Sequence, residues 1–260
     1  MSRGWPISDG AMGALAYTFE FLMGWMGGPA RWRTMPWMVT FFGILVIPLG
    51  LVHIILVMSQ PVVVGSWCTL CLLAAAIMLP MLPLEVDEVI AMGQHMIQAT
   101  RNGEPFWRVF WLGGQPAEKN EDKRSPAIVI FAGRSGKVVR ASLWGMSVPF
   151  SLAAATASGV LLLFAPGFWH VPVSAAAAHI FHVTGAFVVV CSVVSMGEVV
   201  RVVRFLNLPA GVCVAVLPWF YNGSPGLCVT GAVVGVLTFA FSIPRGRITE
   251  TYGLWQKFIR

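Results

Sequence analysis

Charged residues are scarce in this 260-residue chain. Asp, Glu, Lys and Arg make up 11% of it, and hydrophobic residues make up 57%. Soluble domains carry about 25% charged residues, so the composition excludes an ordinary soluble fold and predicts a lipid bilayer as the surrounding medium. The formal net charge is +6, but the basic residues lie between long apolar runs. They form no groove-reading helix or base-stacking surface, which argues against nucleic acid as a partner.

Apolar runs of the length that crosses a bilayer recur along the chain. A transmembrane helix needs about 20 such residues, and the runs predict an all-α, polytopic transmembrane helical bundle of about seven spans. Breaks at Gly, Pro and charged residues mark their ends, and one of them predicts a turn at Gln60-Pro61. The predicted spans are 11–27, 36–58, 67–84, 143–165, 173–197, 206–221 and 227–243.

Charge is also nearly absent from one side of the predicted bundle. If odd-numbered spans run inward, sixteen of the 17 Lys and Arg residues fall on a single side, and only Arg3 falls on the other. The external loops 60–66, 166–172 and 222–226 contain no Lys, Arg, Asp or Glu. The positive-inside rule therefore predicts an N-terminus outside and a cytoplasmic C-terminus.

The composition changes between residues 85 and 140, where charged residues, Gly and Pro become frequent. We expect an amphipathic helix at 85–100 and a cytoplasmic linker at 101–141, between membrane domains at 1–100 and 142–260. In the second domain, Val183-Thr184-Gly185-Ala186 recurs as Val229-Thr230-Gly231-Ala232. The repeat predicts two duplicated helical hairpins that contact through small residues.

Cysteine is sparse too, and only Cys68 and Cys71 form a motif. The other three, Cys191, Cys213 and Cys228, stand alone in apolar runs, where cysteine usually serves as a small hydrophobe. A Cys-x-x-Cys pair in the first turn of a helix can close a disulfide, and the helix N-terminus stabilises a thiolate.

Two other interpretations of the pair are half of a zinc site and inert packing. A structural zinc needs four ligands, and no other Cys or His cluster lies near the outer surface in the sequence, so no metal is expected. Redox activity is favoured over packing because disulfides persist on the outer side of a membrane. Cys68 and Cys71 are therefore the candidate catalytic residues.

The cysteine motif lies in a longer recognisable stretch. Gln60-Pro61 followed by Ser66-Trp67-Cys68-Thr69-Leu70-Cys71-Leu72-Leu73-Ala74-Ala75 resembles the active-site helix of the vitamin K epoxide reductase family. The run Asp9-Gly10-Ala11-Met12-Gly13-Ala14-Leu15-Ala16-Tyr17 is similar to the helix that opens that family's bundle after its external loop.

This resemblance implies a four-helix bundle that encloses a quinone beside the Cys-x-x-Cys pair. Electrons would pass from a substrate thiol, through a loop cysteine pair, to the active-site pair and then to the quinone. It implies that Cys68 exchanges with thiols and that Cys71 lies next to the quinone. The family's first helix and loop cysteines would precede Ile7. We therefore expect that another subunit supplies them, that external thiols reach Cys68 directly, or that the catalytic cycle has been lost.

Three residues are the candidate quinone-binding residues: Glu20, His53 and Trp67. Glu20 falls near the middle of the first span, where an ionisable group indicates function by default. It could pair with His53 on the second span, and a structural hydrogen bond is favoured over a proton or quinone role. His179 and His182, three residues apart on the fifth span, share a helix face. A packing role is favoured for them over a haem or metal site.

From residue 161 onward the chain resembles the bacterial SPW-repeat membrane domain. The resemblance rests on Ala165-Pro166-Gly167-Phe168 and Leu217-Pro218-Trp219, and on Ser242-Ile243-Pro244-Arg245-Gly246-Arg247 near the end. No reaction is attached to that family, so it implies a four-helix scaffold at 142–260.

The sequence therefore predicts a quinone-linked thiol-disulfide oxidoreductase of the bacterial inner membrane that acts on a periplasmic thiol protein. The alternative is a non-catalytic accessory subunit of a larger bacterial membrane complex. A transporter is disfavoured because the spans carry almost no charge besides Glu20.

Overall fold

The structure is a computed structural model that describes residues 9–26, 30–114, 143, 145–221, 223–249 and 252–259. These residues form helices and no β-strand, apart from an isolated antiparallel bridge between Met146 and Gly197. The α-helices are α1 (Asp9–Trp25), α2 (Arg31–Thr34), α3 (Pro36–Val63), α4 (Thr69–Arg101), α5 (Phe106–Leu112), α6 (Phe150–Phe168), α7 (Ala176–Val194), α8 (Asn207–Phe220), α9 (Pro225–Ser242) and α10 (Gln256–Ile259). A 3₁₀ segment, Glu198–Leu206, joins α7 to α8, and a second, Gly253–Trp255, precedes α10.

Six helices among the described residues are long and apolar enough to cross a membrane, judged by length and composition. They are α3, α4, α6, α7, α9, and α8 together with the 3₁₀ segment before it. The first predicted span corresponds to α1, which has 17 residues. At 1.5 Å per residue it is about 26 Å long, a little shorter than a hydrocarbon core of about 30 Å. The predicted all-α polytopic bundle is confirmed, and its medium is a lipid bilayer.

Helices α3 and α4 extend well beyond the predicted ends of their spans. Helix α3 continues through Pro61 to Val63, although a turn was expected at Gln60-Pro61. Helix α4 joins the predicted third span to the predicted amphipathic helix at 85–100 without a break, and it contains Pro80 and Pro83. Each proline removes one helical hydrogen bond. Leaving the helix within lipid would leave still more backbone groups unpaired, so the helix continues.

The described chain divides into two compact units. The first comprises residues 1–49 and 88–144. Its buried apolar cluster combines Val39 of α3 with Met92, Met96 and Ala99 of α4 and Val109 of α5. Beside it, Arg31 forms an ion pair with Glu88, in which Nε and Nη2 each donate to one carboxylate oxygen. The greater part of the predicted linker lies outside the described residues.

The second unit comprises residues 50–87 and 145–260. One buried cluster draws on all four of its long C-terminal helices: Leu162 and Ala165 of α6, Ala177 and Phe181 of α7, Val214 of α8, and Leu227 and Val234 of α9. The predicted division into domains at 1–100 and 142–260 stays a prediction.

Reciprocal glycine contacts bring the helices of each C-terminal hairpin together. A Cβ atom on Gly159 of α6 would lie 2.9 Å from the Gly185 carbonyl oxygen, and one on Gly185 of α7 would lie 2.8 Å from the Gly159 carbonyl oxygen. Gly211 of α8 and Gly235 of α9 face each other in the same way. A Cβ atom on Gly211 would lie 2.7 Å from the Gly235 carbonyl oxygen, and one on Gly235 would lie 2.5 Å from the Gly211 carbonyl oxygen. Both hairpins therefore rest on direct backbone contact that no larger residue permits.

These contacts shift the register expected from the sequence repeat. The repeat aligned Gly185 with Gly231, but the structural counterpart of Gly185 is Gly235, four residues further along α9. Gly231 instead lies against the Val214 carbonyl oxygen. Four residues are about one helical turn, so the same face of α9 still meets α8 although the short repeat is displaced along it.

We expect Gly159→Ala and Gly211→Ala each to destabilise the protein by about 1–3 kcal/mol, because the added methyl group must displace a facing backbone. Gly167→Ala is the matched control, since a Cβ atom there meets nothing within 4 Å. Thermal unfolding in detergent measures the difference. Equal midpoints for Gly159→Ala and Gly167→Ala would contradict the close contact.

Candidate functional site

The cysteine pair forms the N-terminal cap of α4. Cys68 directly precedes the helix, and the Leu72 N–H donates to the Cys68 carbonyl oxygen at 3.0 Å, which is the first helical hydrogen bond. The Cys71 N–H donates to the Cys68 sulfur at 3.4 Å. The Cys68 thiol thus occupies the position in which a Ser or Asp oxygen commonly caps a helix. Cys68 is exposed and Cys71 is partly buried.

Two side chains of α3 bind the cysteine turn, which comprises residues 68–71. Gln60 accepts the Cys68 N–H on Oε1 at 3.0 Å, and His53 Nε2 lies 3.3 Å from the Cys71 carbonyl oxygen. A carbonyl oxygen can only accept, so Nε2 is the protonated nitrogen of His53 in this contact. His53 and Gln60 are seven residues apart and share one face of α3. That face therefore holds the cysteine turn at both its N–H and its carbonyl side.

Gln60 was not among the predicted site residues, although it lies in the run that carries the family resemblance. A signal for it was available, because an uncharged polar residue two turns from a histidine in an otherwise apolar run indicates a shared polar contact. The predicted turn at Gln60-Pro61 concealed that helical register.

Trp67, which precedes Cys68, contacts the C-terminal part of the second unit. Its ring lies edge-on to the His182 ring of α7, with the centroids 6.1 Å apart. His182 is 6% exposed, and its Nδ1 has no hydrogen-bond partner among the described residues. His182, for which a packing role was favoured, thus contacts the residue that precedes Cys68.

Glu20 lies in α1, which belongs to the first unit, and is 6% exposed. Its Oε1 has no hydrogen-bond partner in the described part of the chain. The pairing of Glu20 with His53 stays a prediction. The structure brings together His53, Trp67, Cys68 and Cys71, all of them in the second unit.

Hydrogen bonding favours the thiolate form of the exposed Cys68, which is the form that acts as a nucleophile. The Cys71 thiol and then the Cys71 backbone N–H donate to the Cys68 sulfur and lower the pKa of Cys68, which lies just outside the spanning helix. Both bonds stabilise the thiolate relative to the thiol. Cys68 can therefore attack a disulfide, or be attacked within one, from the aqueous side.

The vitamin K epoxide reductase family model matches residues 1–86. The matched stretch contains the cysteine pair together with His53 and Gln60. It supports, at a coarse level, a family of membrane thiol-disulfide and quinone oxidoreductases. The resemblance to an SPW-repeat domain in the second half stays a prediction. Comparison with curated proteins and with solved structures finds no match.

The lowered pKa of Cys68 has a measurable consequence for its alkylation. Since only the thiolate reacts, the rate at Cys68 should rise at a lower pH than for an ordinary thiol, and Cys71→Ala should move that rise to higher pH by removing the thiol donor. The rate is measured with a membrane-impermeant maleimide, with peptide mass spectrometry to identify Cys68. Cys213→Ala is the control and should leave the profile unchanged. A wild-type profile identical to that of Cys71→Ala would refute the hydrogen-bond effect.

Proposed function

We propose that this protein is a membrane thiol:quinone oxidoreductase in which Cys68 and Cys71 alternate between a disulfide and two thiols. The observation that carries the proposal is the exposed Cys68 sulfur, which accepts the Cys71 N–H inside the stretch that matches the vitamin K epoxide reductase family. A thiolate at a helix N-terminus with a second cysteine three residues on is suited to reversible disulfide chemistry.

The thiol half-reaction balances within the pair and its substrate. A substrate thiolate attacks the Cys68 sulfur of the Cys68–Cys71 disulfide, the S–S bond breaks, and Cys71 leaves as a thiolate that takes up a proton. The second substrate thiol then attacks the mixed disulfide and releases Cys68. The substrate loses two electrons and two protons, and the cysteine pair gains them.

The surroundings of the cysteine pair suit a quinone by their chemistry. Leu70 and Leu73 expose apolar side chains beside Cys71, and Trp67 adds a partly buried aromatic ring. A bound quinone would supply the acceptor for two electrons and two protons from the reduced pair. We assign His53 and Trp67 to its surroundings, His53 as a positioning residue through the Cys71 carbonyl group. The corresponding role for Glu20 rests on the sequence alone.

The predicted topology supports a periplasmic thiol protein as the electron donor, and the bacterial inner membrane is the proposed location. The uncharged external loops support a position of Cys68 on the outer side. In the same proposal, residues 142–260 are an SPW-repeat scaffold. The Trp67–His182 contact is the point at which such a scaffold supports the cysteine turn.

Replacing either cysteine of the pair should abolish quinone-dependent thiol oxidation. We expect Cys68→Ala and Cys71→Ala to lower the rate by at least about a hundredfold, since neither variant can form the disulfide. Cys213→Ala, an exposed cysteine of α8, is the matched control and should keep the wild-type rate. The assay uses native membranes, a reduced dithiol peptide and a short-chain quinone, and the redox state of Cys68 is read by thiol trapping. If Cys68 stays reduced with and without quinone, the accessory-subunit hypothesis replaces this one.

Gln60 should affect the rate of thiol exchange although its side chain does not react. Gln60→Leu leaves the Cys68 N–H without its acceptor, and we expect thiol exchange to slow by about fivefold, as the loss of one net hydrogen bond of about 1 kcal/mol predicts. Ser59→Ala is the control, because Ser59 donates to the Leu56 carbonyl oxygen of its own helix, at 2.8 Å. The pH profile of Cys68 alkylation separates a positioning effect from general instability. An unchanged exchange rate and profile in Gln60→Leu would remove Gln60 from the site.

A further inference from the structure

The 3₁₀ segment Glu198–Leu206 carries two buried arginines. Arg201 is 0% exposed and Arg204 is 3% exposed. The segment departs from helical geometry at Val200, with φ −111° and ψ 22°, and in the predicted topology it lies at the cytoplasmic end of α7 and α8. A buried guanidinium is unfavourable unless its charge and its N–H groups meet partners.

Part of the hydrogen-bonding capacity of these arginines is unused. Arg201 donates from Nη2 to the Ser147 hydroxyl group, but its Nε and Nη1 have no acceptor among the described residues. Arg204 donates from Nη1 to the Arg201 carbonyl oxygen at 2.9 Å, and its Nε likewise has no acceptor there. Buried donors are nearly always satisfied in folded proteins, so these nitrogens indicate a ligand.

The local charge is also unbalanced, with an excess of positive charge. Arg201 and Arg204 both interact electrostatically with the positive charge of Arg245, which is exposed. The carboxylate acting on Arg201 is Glu198. Among the described residues that act on Arg201, the positive charges of Arg204 and Arg245 thus oppose the carboxylate of Glu198.

The oxygens of Glu198 are engaged by the C-terminal tail. Oε1 accepts the Thr249 N–H at 2.9 Å and the Thr249 hydroxyl at 2.8 Å, and Oε2 accepts the Tyr252 hydroxyl at 3.3 Å. Trp255 Nε1 donates to the Val199 carbonyl oxygen at 3.1 Å. The tail therefore packs on the 3₁₀ segment, and it uses much of the accepting capacity that would otherwise balance the arginines.

We propose that Arg201 and Arg204, with Arg245 at the exposed edge, bind a phosphate-type anion: the headgroup of an anionic phospholipid or a free phosphate. The guanidinium fork matches phosphate oxygens through paired hydrogen bonds. Basic pockets between transmembrane helices on the cytoplasmic side suit lipid headgroups. The proposal is independent of the redox function.

The test uses the full chain in nanodiscs and its unfolding midpoint, followed by tryptophan fluorescence. One arm compares phosphatidylcholine discs with discs that also contain phosphatidylglycerol. The other titrates inorganic phosphate into phosphatidylcholine discs against chloride of equal ionic strength. Binding to the folded state should raise the midpoint by about 5 °C at a hundredfold excess over the dissociation constant.

A rise with phosphatidylglycerol alone identifies a lipid headgroup, and a rise with phosphate identifies a site open to the free anion. No rise in either arm overturns the proposal. This comparison needs only the wild-type protein, so it holds even if an arginine variant does not fold.

Three variants test which residues form the site. Arg201→Lys keeps the charge but not the fork and should raise the apparent dissociation constant by about tenfold. Arg245→Gln, at an exposed position, should raise it by about threefold. Arg247→Gln is the matched control, because that exposed residue is held through its carbonyl oxygen, 3.3 Å from the Ser147 hydroxyl. Equal weakening in Arg247→Gln and Arg245→Gln would show diffuse surface attraction and overturn the site.

Discussion

Within lipid, each backbone N–H and carbonyl group must find a partner inside the protein, because no water is available to replace it. This constraint shapes the chain from α1 to α9. It keeps α3 helical through Pro61 and α4 helical through Pro80 and Pro83. It also means that every irregular point at a helix end needs identifiable side-chain or backbone partners, and the proposed redox and anion sites lie at such points.

The cysteine turn is the clearest example. The chain leaves α3 after Val63 and enters α4 at Thr69. At that entry the Cys71 N–H donates to the Cys68 sulfur, and the Cys68 N–H donates to the side-chain oxygen of Gln60. Capping the helix therefore also helps to lower the pKa of Cys68, to which the hydrogen bond from the Cys71 thiol contributes most. A serine at position 68 would serve the cap equally well but could exchange no electrons.

The C-terminal hairpins satisfy the same constraint and pack through small residues. Gly159 with Gly185, and Gly211 with Gly235, allow two helix backbones to touch, which is the common way for helices to associate where lipid removes the usual hydrophobic driving force. The 3₁₀ segment between the hairpins cannot pack in that way. It carries Arg201 and Arg204 into the interior instead, with donors that the described residues do not satisfy.

The sequence by itself determined the medium, the helical class and the position of the cysteine pair at the end of a span. These follow from local properties, namely the length of apolar runs, their charged boundaries and a spacing of three residues. It also indicated Trp67 and His53 as candidate quinone-binding residues, Trp67 within the run that resembles the family and His53 as a partner for Glu20. Hydrophobic periodicity could add little more, because a helix that is apolar on every side carries no mark of the face that packs inward.

Only the tertiary structure decided which distant residues meet. Three features depend on how each helix is rotated and shifted along its neighbour. They are the hydrogen bond from Cys68 to Gln60, the contact of Trp67 with His182, and the use of Gly235, four residues beyond Gly231, as the counterpart of Gly185. The rotation and the shift are set by packing between side chains far apart in the chain. The burial of Arg201 could not be predicted from the sequence either, since a basic residue at a predicted span boundary is expected to face water.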